Sequence, residues 1–336
     1  MLETIPATTK QQAIYVEVGA DSKKTPMPDL KAVDLHILAK MEFKPRQPLL
    51  SPWLHSQDLC MLFAARGVGK THFALAISYA VATGGEFLNW QANQPSKVLY
   101  LDGELPGNVM QSRLLTHLPK KEPEPGYFRV FTPDLMSIDD VMPDLATHEG
   151  QAVINSMIEP DTALIVIDNL SAWARGSRSE NDAESWLPIA TWVLALRRQG
   201  IAVLLIHHAG KGGQQRGTSK REDLLDVVIK LSRPIDYDPK QGARFEMSFS
   251  KARNLHGEDA EGLEIILSED SEGYASWNWT TLEGSTYQRV IDLANEGLSQ
   301  SEIARELDVN RSTVNRHYRK AQDAEMIIKS KKGVAI

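Results

Sequence analysis

An α/β fold is what this 336-residue chain predicts: a mostly parallel sheet flanked by helices, with a small helical module appended. Three observations carry it. Short apolar runs alternate with helical patterns from about Trp53 to Trp279, the rhythm of parallel strands joined by crossover helices. An early junction between an apolar run and a helical pattern is Gly-rich and ends in Gly69-Lys70-Thr71. Beyond Thr286 the strand pattern ends and a separate helical pattern begins.

Strands are expected over Leu59–Phe63, Val98–Leu101, Phe128–Phe131, Leu164–Ile167 and Ala202–Ile206. Helices are expected between them over His72–Ala82, Gly107–Leu118, Asp144–Ile158 and Ala183–Gln199. After Ile206 the helical patterns stop. Leu224–Leu231, Arg244–Ser250, Leu263–Leu267 and Tyr274–Trp279 read as consecutive strands, an antiparallel extension of the sheet. Upstream, residues 1–48 mix charges with five prolines and hold one helical pattern, Leu30 to Met41. This reads as an N-terminal arm whose helix packs on its own core or reaches a neighbouring subunit. The main domain is expected over 49–280, a polar hinge over Thr280–Ser285, and a third segment over 286–336.

Composition limits the classes. Hydrophobic residues at 42% and charged residues at 24% are those of an ordinary soluble globular protein. No apolar stretch approaches the roughly 18 residues of a membrane span. The first ten residues lack a basic start and an apolar core, so a cytoplasmic location is expected. The single cysteine, Cys60, rules out a disulfide framework or a zinc cluster and falls in an expected buried strand. A net charge of −7 excludes coating nucleic acid through bulk charge, so any DNA contact must come from local basic patches.

Ala64-Ala65-Arg66-Gly67-Val68-Gly69-Lys70-Thr71 reads as a phosphate-binding loop in its required context, after an apolar run and before a helix that begins near His72. Backbone N–H groups from Arg66 to His72 would face a β-phosphate at a helix N-terminus. Lys70 adds a cation for the β- and γ-phosphates, and Thr71 a hydroxyl for Mg²⁺. The expected ligands are ATP and Mg²⁺. Ala64 replaces the first glycine of the motif, which is harmless where φ is negative.

Two expected strands end in acids. Asp168 closes Leu164–Ile167 and is placed to hold Mg²⁺. Asp102 and Glu104 follow Val98–Leu101. Hydrolysis needs a carboxylate to orient or deprotonate water, and because Asn169 follows Asp168, Glu104 is the first candidate and Asp102 the second. His207-His208 ends the next strand, within reach of a γ-phosphate. The loop after it, Gly210–Arg221, is Gly-rich and carries Lys211, Arg216, Lys220 and Arg221, suited to a DNA backbone. Lys251 and Arg253 are two residues apart on one expected strand face and suit a triphosphate, their own or a neighbour's.

In this order the parts resemble the RecA-type hexameric helicases, particularly the plasmid RepA and DnaB-like groups, over about Trp53 to Trp279. The resemblance implies a RecA-like core, Lys70 and Thr71 in the phosphate loop, Glu104 as catalytic base, Asp168 as the Mg²⁺-side acid and His208 as phosphate sensor. It implies that Lys251 and Arg253 reach the ATP of an adjacent subunit, so a homo-oligomer, most simply a hexameric ring, belongs to the mechanism.

The C-terminal segment is absent from the RepA-type proteins. Gly297 to His317 reads as a helix-turn-helix: Ser299 with Glu302 makes a capping box, Ala304 permits close approach, and Ile303, Leu307, Val309 and Val314 supply the core. Asp308 stands in the turn where a left-handed residue is needed. Arg311, Ser312, Thr313, Asn315 and Arg316 lie on the second helix, suited to a major groove. Ile327–Val334 could supply a wing; a protein-interaction module is the alternative for the whole segment. The expected function is a DNA-dependent ATPase of replicative-helicase type, with an ATP-switched DNA-binding regulator or initiator as the alternative. The implied partners are single- and double-stranded DNA, further copies of the chain and other replication proteins.

Overall fold

The computed structural model describes residues 32–116, 121–175, 183–209 and 219–327. It divides into two units, one ending at Arg46 and one running from Gln47. In the first, helix α1 is a single turn, Leu35–Leu38, shorter than the pattern suggested. Asp34 caps it by accepting from the His36 backbone N–H.

In the second unit, strands β1 (Pro48–Leu50) and β2 (Leu54–His55) pair as a hairpin leading into β3 (Leu59–Ala64), which is buried at every position. Helix α2 (Lys70–Thr83) follows, then a second small hairpin of β4 (Glu86–Phe87) and β5 (Trp90–Gln91). Next come β6 (Lys97–Asp102), α3 (Gly107–Leu115), β7 (Phe128–Phe131), α4 (His148–Met157), β8 (Thr162–Asp168) and the one-turn α5 (Leu170–Trp173). Then come α6 (Ala183–Arg198), β9 (Ala202–His208), β10 (Val227–Ser232), β11 (Ala243–Ala252), β12 (Leu263–Glu269) and β13 (Ala275–Thr281). Three helices close the chain: α7 (Leu282–Asn295), α8 (Gln300–Glu306) and α9 (Arg311–Asp323). No helix among the described residues is long and apolar enough to cross a membrane.

Nine strands form one sheet in the order β13-β12-β11-β10-β3-β9-β8-β6-β7. Strands β3 and β6 through β10 run parallel; β11, β12 and β13 continue the sheet antiparallel. One expectation is corrected here: the 224–231 strand is not part of the antiparallel extension, because β10 pairs parallel with β3. A strand's residues state that it is buried; they do not state which edge it docks against.

Alternation along the strands sorts the core into two layers. Cys60, Leu62, Tyr100, Val166, Leu204 and Ile206 face α2; Met61, Phe63, Leu101, Ile167, Val203 and Leu205 face the other layer, which includes α5 and α6. Helix α2 is buried nearly all round because the two hairpins cover its outer side with Trp53, Phe87 and Trp90. Phe73 meets Phe87 at 5.1 Å and Phe245 at 6.0 Å between ring centroids, and Trp53 meets Trp90 at 5.3 Å. Each such pair contributes about 0.5–1.5 kcal/mol beyond its burial.

The expected hinge over 280–285 is also corrected. Thr281 ends β13 and at once caps α7, its hydroxyl accepting from the Gly284 N–H. Helix α7 is then anchored on the sheet by charge. The buried Glu264 carboxylate of β12 accepts from Arg244 of β11 at 2.6 Å, from Arg289 of α7 at 2.5 Å, and from the Ser285 hydroxyl. Asp236 contacts both arginines, at 3.1 and 3.5 Å. Glu264→Ala is therefore expected to cost about 3–5 kcal/mol, since it leaves two partly desolvated guanidinium groups short of a counter-charge; urea unfolding checks this.

Candidate functional site

The phosphate loop leaves β3 at Ala64 and re-enters regular structure at Lys70. Ala64 is extended, paired with His208 and Leu231, and has no positive φ, so a missing glycine there costs nothing. Glycine is needed at two later positions. Gly67 has φ 75° and Gly69 φ 123°, and a Cβ on Gly69 would stand 3.2 Å from the Phe245 ring. Lys70 is buried, and its Nζ donates to the carbonyls of Ala64 at 3.1 Å and Ala65 at 2.9 Å. Burial pushes its pKa down, while Asp168 and Glu104 act the other way.

Arg66 to His72, Glu104, Asp168 and His208 line one cavity of about 640 Å³. Strand parity explains the grouping. Asp102 and Asp168 are register partners on adjacent strands, and His208 pairs with Ala64. All three share the face of Tyr100, Val166 and Ile206, which is the α2 face. His207 falls on the opposite face, so of the two histidines only His208 enters the cavity.

Asp168 is 5% exposed. Burial pushes its pKa up, and hydrogen bonds from the Thr71 and Tyr100 hydroxyls hold it down. The Tyr100 bond is 2.8 Å long. A carboxylate and a hydroxyl meeting beside Lys70 supply the hard oxygen donors that Mg²⁺ takes together with phosphates, so these residues fit that cation. Asp102 is 1% exposed, and its carboxylate accepts from the backbone N–H groups of Glu104 and Leu105. It shapes the loop, whereas the Glu104 side chain is 51% exposed and stands 3.7 Å from His208 Nε2. Burial pushes the His208 pKa down, seconded by the Lys70 charge. His72 is lowered by burial to about 4, with Arg113 contributing.

Four further residues complete the site and were not singled out from the sequence. Asn169 lies 3.2 Å from His208 Nε2 and caps α5. Arg113 of α3 lines the cavity. Arg233, just past β10, donates to the Gly67 carbonyl at 2.7 Å and stacks on Tyr237 at 3.9 Å. Tyr100 could have been found, since a polar residue two before Asp102 shares its face; nothing local to Arg233 announces its reach.

Lys251 and Arg253 do not join this cavity. A register shift beside Val228 sets Lys251 opposite that residue, on the layer away from α2. Lys251 Nζ donates to the Glu222 carbonyl; Arg253 contacts Asp226 at 3.4 Å and the Asp223 carbonyl at 2.9 Å. Asp226 accepts from the Leu59 N–H, at the start of β3, whereas the phosphate loop leaves its end, about 16 Å along the strand. Their own nucleotide is out of reach. Lys211 and Arg216 lie outside the described residues, as does the Lys220 side chain and nearly all of the wing segment.

The C-terminal helices pack as expected around Val290, Ile303 and Val314, with Ala304, Leu307 and Val309 against them. The Ser299–Glu302 capping box is present, and Asp308 has φ 49°. Arg311, Ser312 and Arg316 of α9 are exposed, Thr313 and Asn315 half-buried. Buried His317 holds its own prediction. Its pKa is lowered by burial and by Arg316 and Lys320, against Glu283. The folded module resists a proton that the unfolded chain takes near pH 6.5, so stability is full above that pH and falls as pH drops through it. Urea midpoints measured between roughly pH 8 and pH 5.5 should decline, and His317→Leu should flatten the decline.

Fold and cavity together define a class: a P-loop ATPase domain with a mostly parallel sheet, carrying a helix-turn-helix. The chain belongs to the AAA domain family, whose profile matches residues 24–214. A winged helix-turn-helix DNA-binding profile matches residues 293–328. Among solved structures, the RadB recombinase is similar at 16% identity, over 63% of this chain and 88% of that one, with a TM-score of 0.45. A KaiC-like protein from Pyrococcus horikoshii OT3 is similar at 15% identity, over 68% and 93%, with a TM-score of 0.47. No curated protein matches.

Proposed function

We propose that this chain is a DNA-dependent ATPase of replicative-helicase type, serving plasmid, phage or mobile-element DNA and hydrolysing ATP between the subunits of a ring. One observation carries the reading. Lys70, Thr71, Asp168, Glu104 and His208 surround one cavity, while Lys251 and Arg253 stand at the far end of the sheet. A pair of cations held away from its own nucleotide is what a site shared between copies of the chain would use.

On ATP binding, Lys70 exchanges the Ala64 and Ala65 carbonyls for the β- and γ-phosphates. Thr71 and Asp168 hold Mg²⁺, which neutralises phosphate charge when bound. Glu104 takes the proton of the attacking water, and the adjacent His208, kept neutral by burial, hydrogen-bonds toward the γ-phosphate and registers its loss. Arg253 of a neighbouring copy stabilises the charge that develops on the transferred group. The Gly210–Arg221 loop begins two residues after His208, a route from nucleotide state to single-stranded DNA.

A second reading, an ATP-switched initiator or regulator that does not translocate, is favoured by the Arg289–Glu264 anchor, which makes the helix-turn-helix part of the ATPase body. Truncation at 286 would cut α7, so duplex binding is better probed on α9. Arg311→Ala and Arg316→Ala should each weaken it about tenfold or more, while basal hydrolysis persists. The deciding experiment follows ATP hydrolysis with and without single-stranded DNA, alongside unwinding of a forked duplex. Stimulation with unwinding supports the motor; hydrolysis without unwinding, together with site-specific duplex binding, supports the regulator.

A further inference from the structure

Asp168 is held from behind by a residue that never enters the cavity. Tyr100 of β6 pairs with Val166, two residues before the Asp102–Asp168 register pair, and shares their face of the sheet. Two residues of strand rise about 6.6 Å, a gap a phenol spans and a phenylalanine ring does not. The side chain is fully buried, so its hydroxyl must find a protein partner, and it donates to Asp168 Oδ2 at 2.8 Å. It is absent from the cavity wall, which leaves it no nucleotide to touch.

A second hydroxyl, that of Thr71, stands near Asp168 and helps hold its pKa down. The two are not equivalent. Thr71 faces the cavity and is itself a candidate cation ligand, so its hydroxyl turns to the cation when Mg²⁺ and phosphates arrive. Tyr100 approaches from within the sheet and has nothing to trade for. A carboxylate that must point one oxygen at a cation, while 5% exposed, needs its orientation fixed by a donor that stays.

We propose that Tyr100 is the positioning residue for Asp168, setting the affinity of the site for Mg²⁺ without contacting metal or nucleotide. The proposal rests on the reading of Asp168 as the Mg²⁺-side acid. It separates two properties that a packing role would leave joined. Nucleotide affinity without Mg²⁺ comes from Lys70 and the loop N–H groups, which Tyr100 does not touch. The gain in affinity on adding Mg²⁺ runs through Asp168.

The test is titration of a fluorescent ATP analogue over a range of Mg²⁺ concentrations, on wild type, Tyr100→Phe and Asp168→Asn. Tyr100→Phe should raise the half-saturating Mg²⁺ concentration about tenfold, the loss of one hydrogen bond to a charged group, and leave Mg²⁺-free affinity within about twofold. Asp168→Asn should remove most of the Mg²⁺ dependence. A wild-type Mg²⁺ response in Tyr100→Phe, with Asp168→Asn defective, overturns the proposal alone. Equal loss of affinity with and without Mg²⁺ in Tyr100→Phe also overturns it, leaving a packing role. A wild-type Mg²⁺ response in Asp168→Asn overturns the reading of Asp168 beneath it.

Discussion

Glu104→Gln is expected to lower ATP turnover by roughly 10²–10⁴ while ATP still binds. The side chain is half exposed, so the change costs little stability, and the groups that hold phosphate, Lys70 and the loop N–H donors, are untouched. Among the described residues that line the cavity, the carboxylates are Glu104 and Asp168, and Glu104 is the exposed one. Asp102 is committed to the N–H groups of Glu104 and Leu105, and Asp168 to Thr71 and Tyr100. The variant should accumulate as an ATP-bound oligomer, visible by nucleotide retention on gel filtration. Wild-type turnover would remove Glu104 from the role.

Arg253→Ala is expected to lower turnover by about 10³ or more with a stability change of roughly 0–1 kcal/mol. The two magnitudes distinguish function from structure. The Arg253 guanidinium is half exposed, and its 3.4 Å contact to Asp226 is the lesser of two, since Arg197 holds the same carboxylate at 2.5 Å. A residue whose own fold barely needs it, yet whose loss stops hydrolysis at a cavity on the far side of the sheet, must act on another molecule. Turnover and unfolding midpoint, measured on one preparation, check both halves.

Much of this arrangement is legible in the residues. Leu59–Phe63 with the following Gly67–Thr71 fixes a strand, a loop and a helix, because each has its own physical signature and they occur in the only order that works. Strand parity puts His207 and His208 on opposite faces, but which of them shares the face of Asp168 is set by the register between strands, so in the sequence only the resemblance singles out His208. Legibility ends where the pattern is short or the partner distant. The β1–β2 and β4–β5 hairpins have strands of two or three residues, too few for a period, yet they cover α2 with Trp53, Phe87 and Trp90. The parallel docking of β10 on β3 is a choice between sheet edges that no local residue records. Thr280–Ser285 reads as a hinge by composition, but Thr281 is a helix cap, and the Glu264–Arg289 pair that fixes α7 joins residues 25 positions apart. Arg233 is likewise far in sequence from the Gly67 carbonyl it grips.

Each active site is proposed to be completed by a second copy of the chain. Mixing Lys70→Ala with Arg253→Ala tests it directly, since the first lacks a working phosphate site but donates Arg253, and the second has the site but no cation to give. Recovery of ATP turnover in mixed oligomers, from two variants each inactive alone, is the predicted result. Mixed oligomers that form yet stay inactive at every ratio would contradict it and return Arg253 to its ion pair with Asp226.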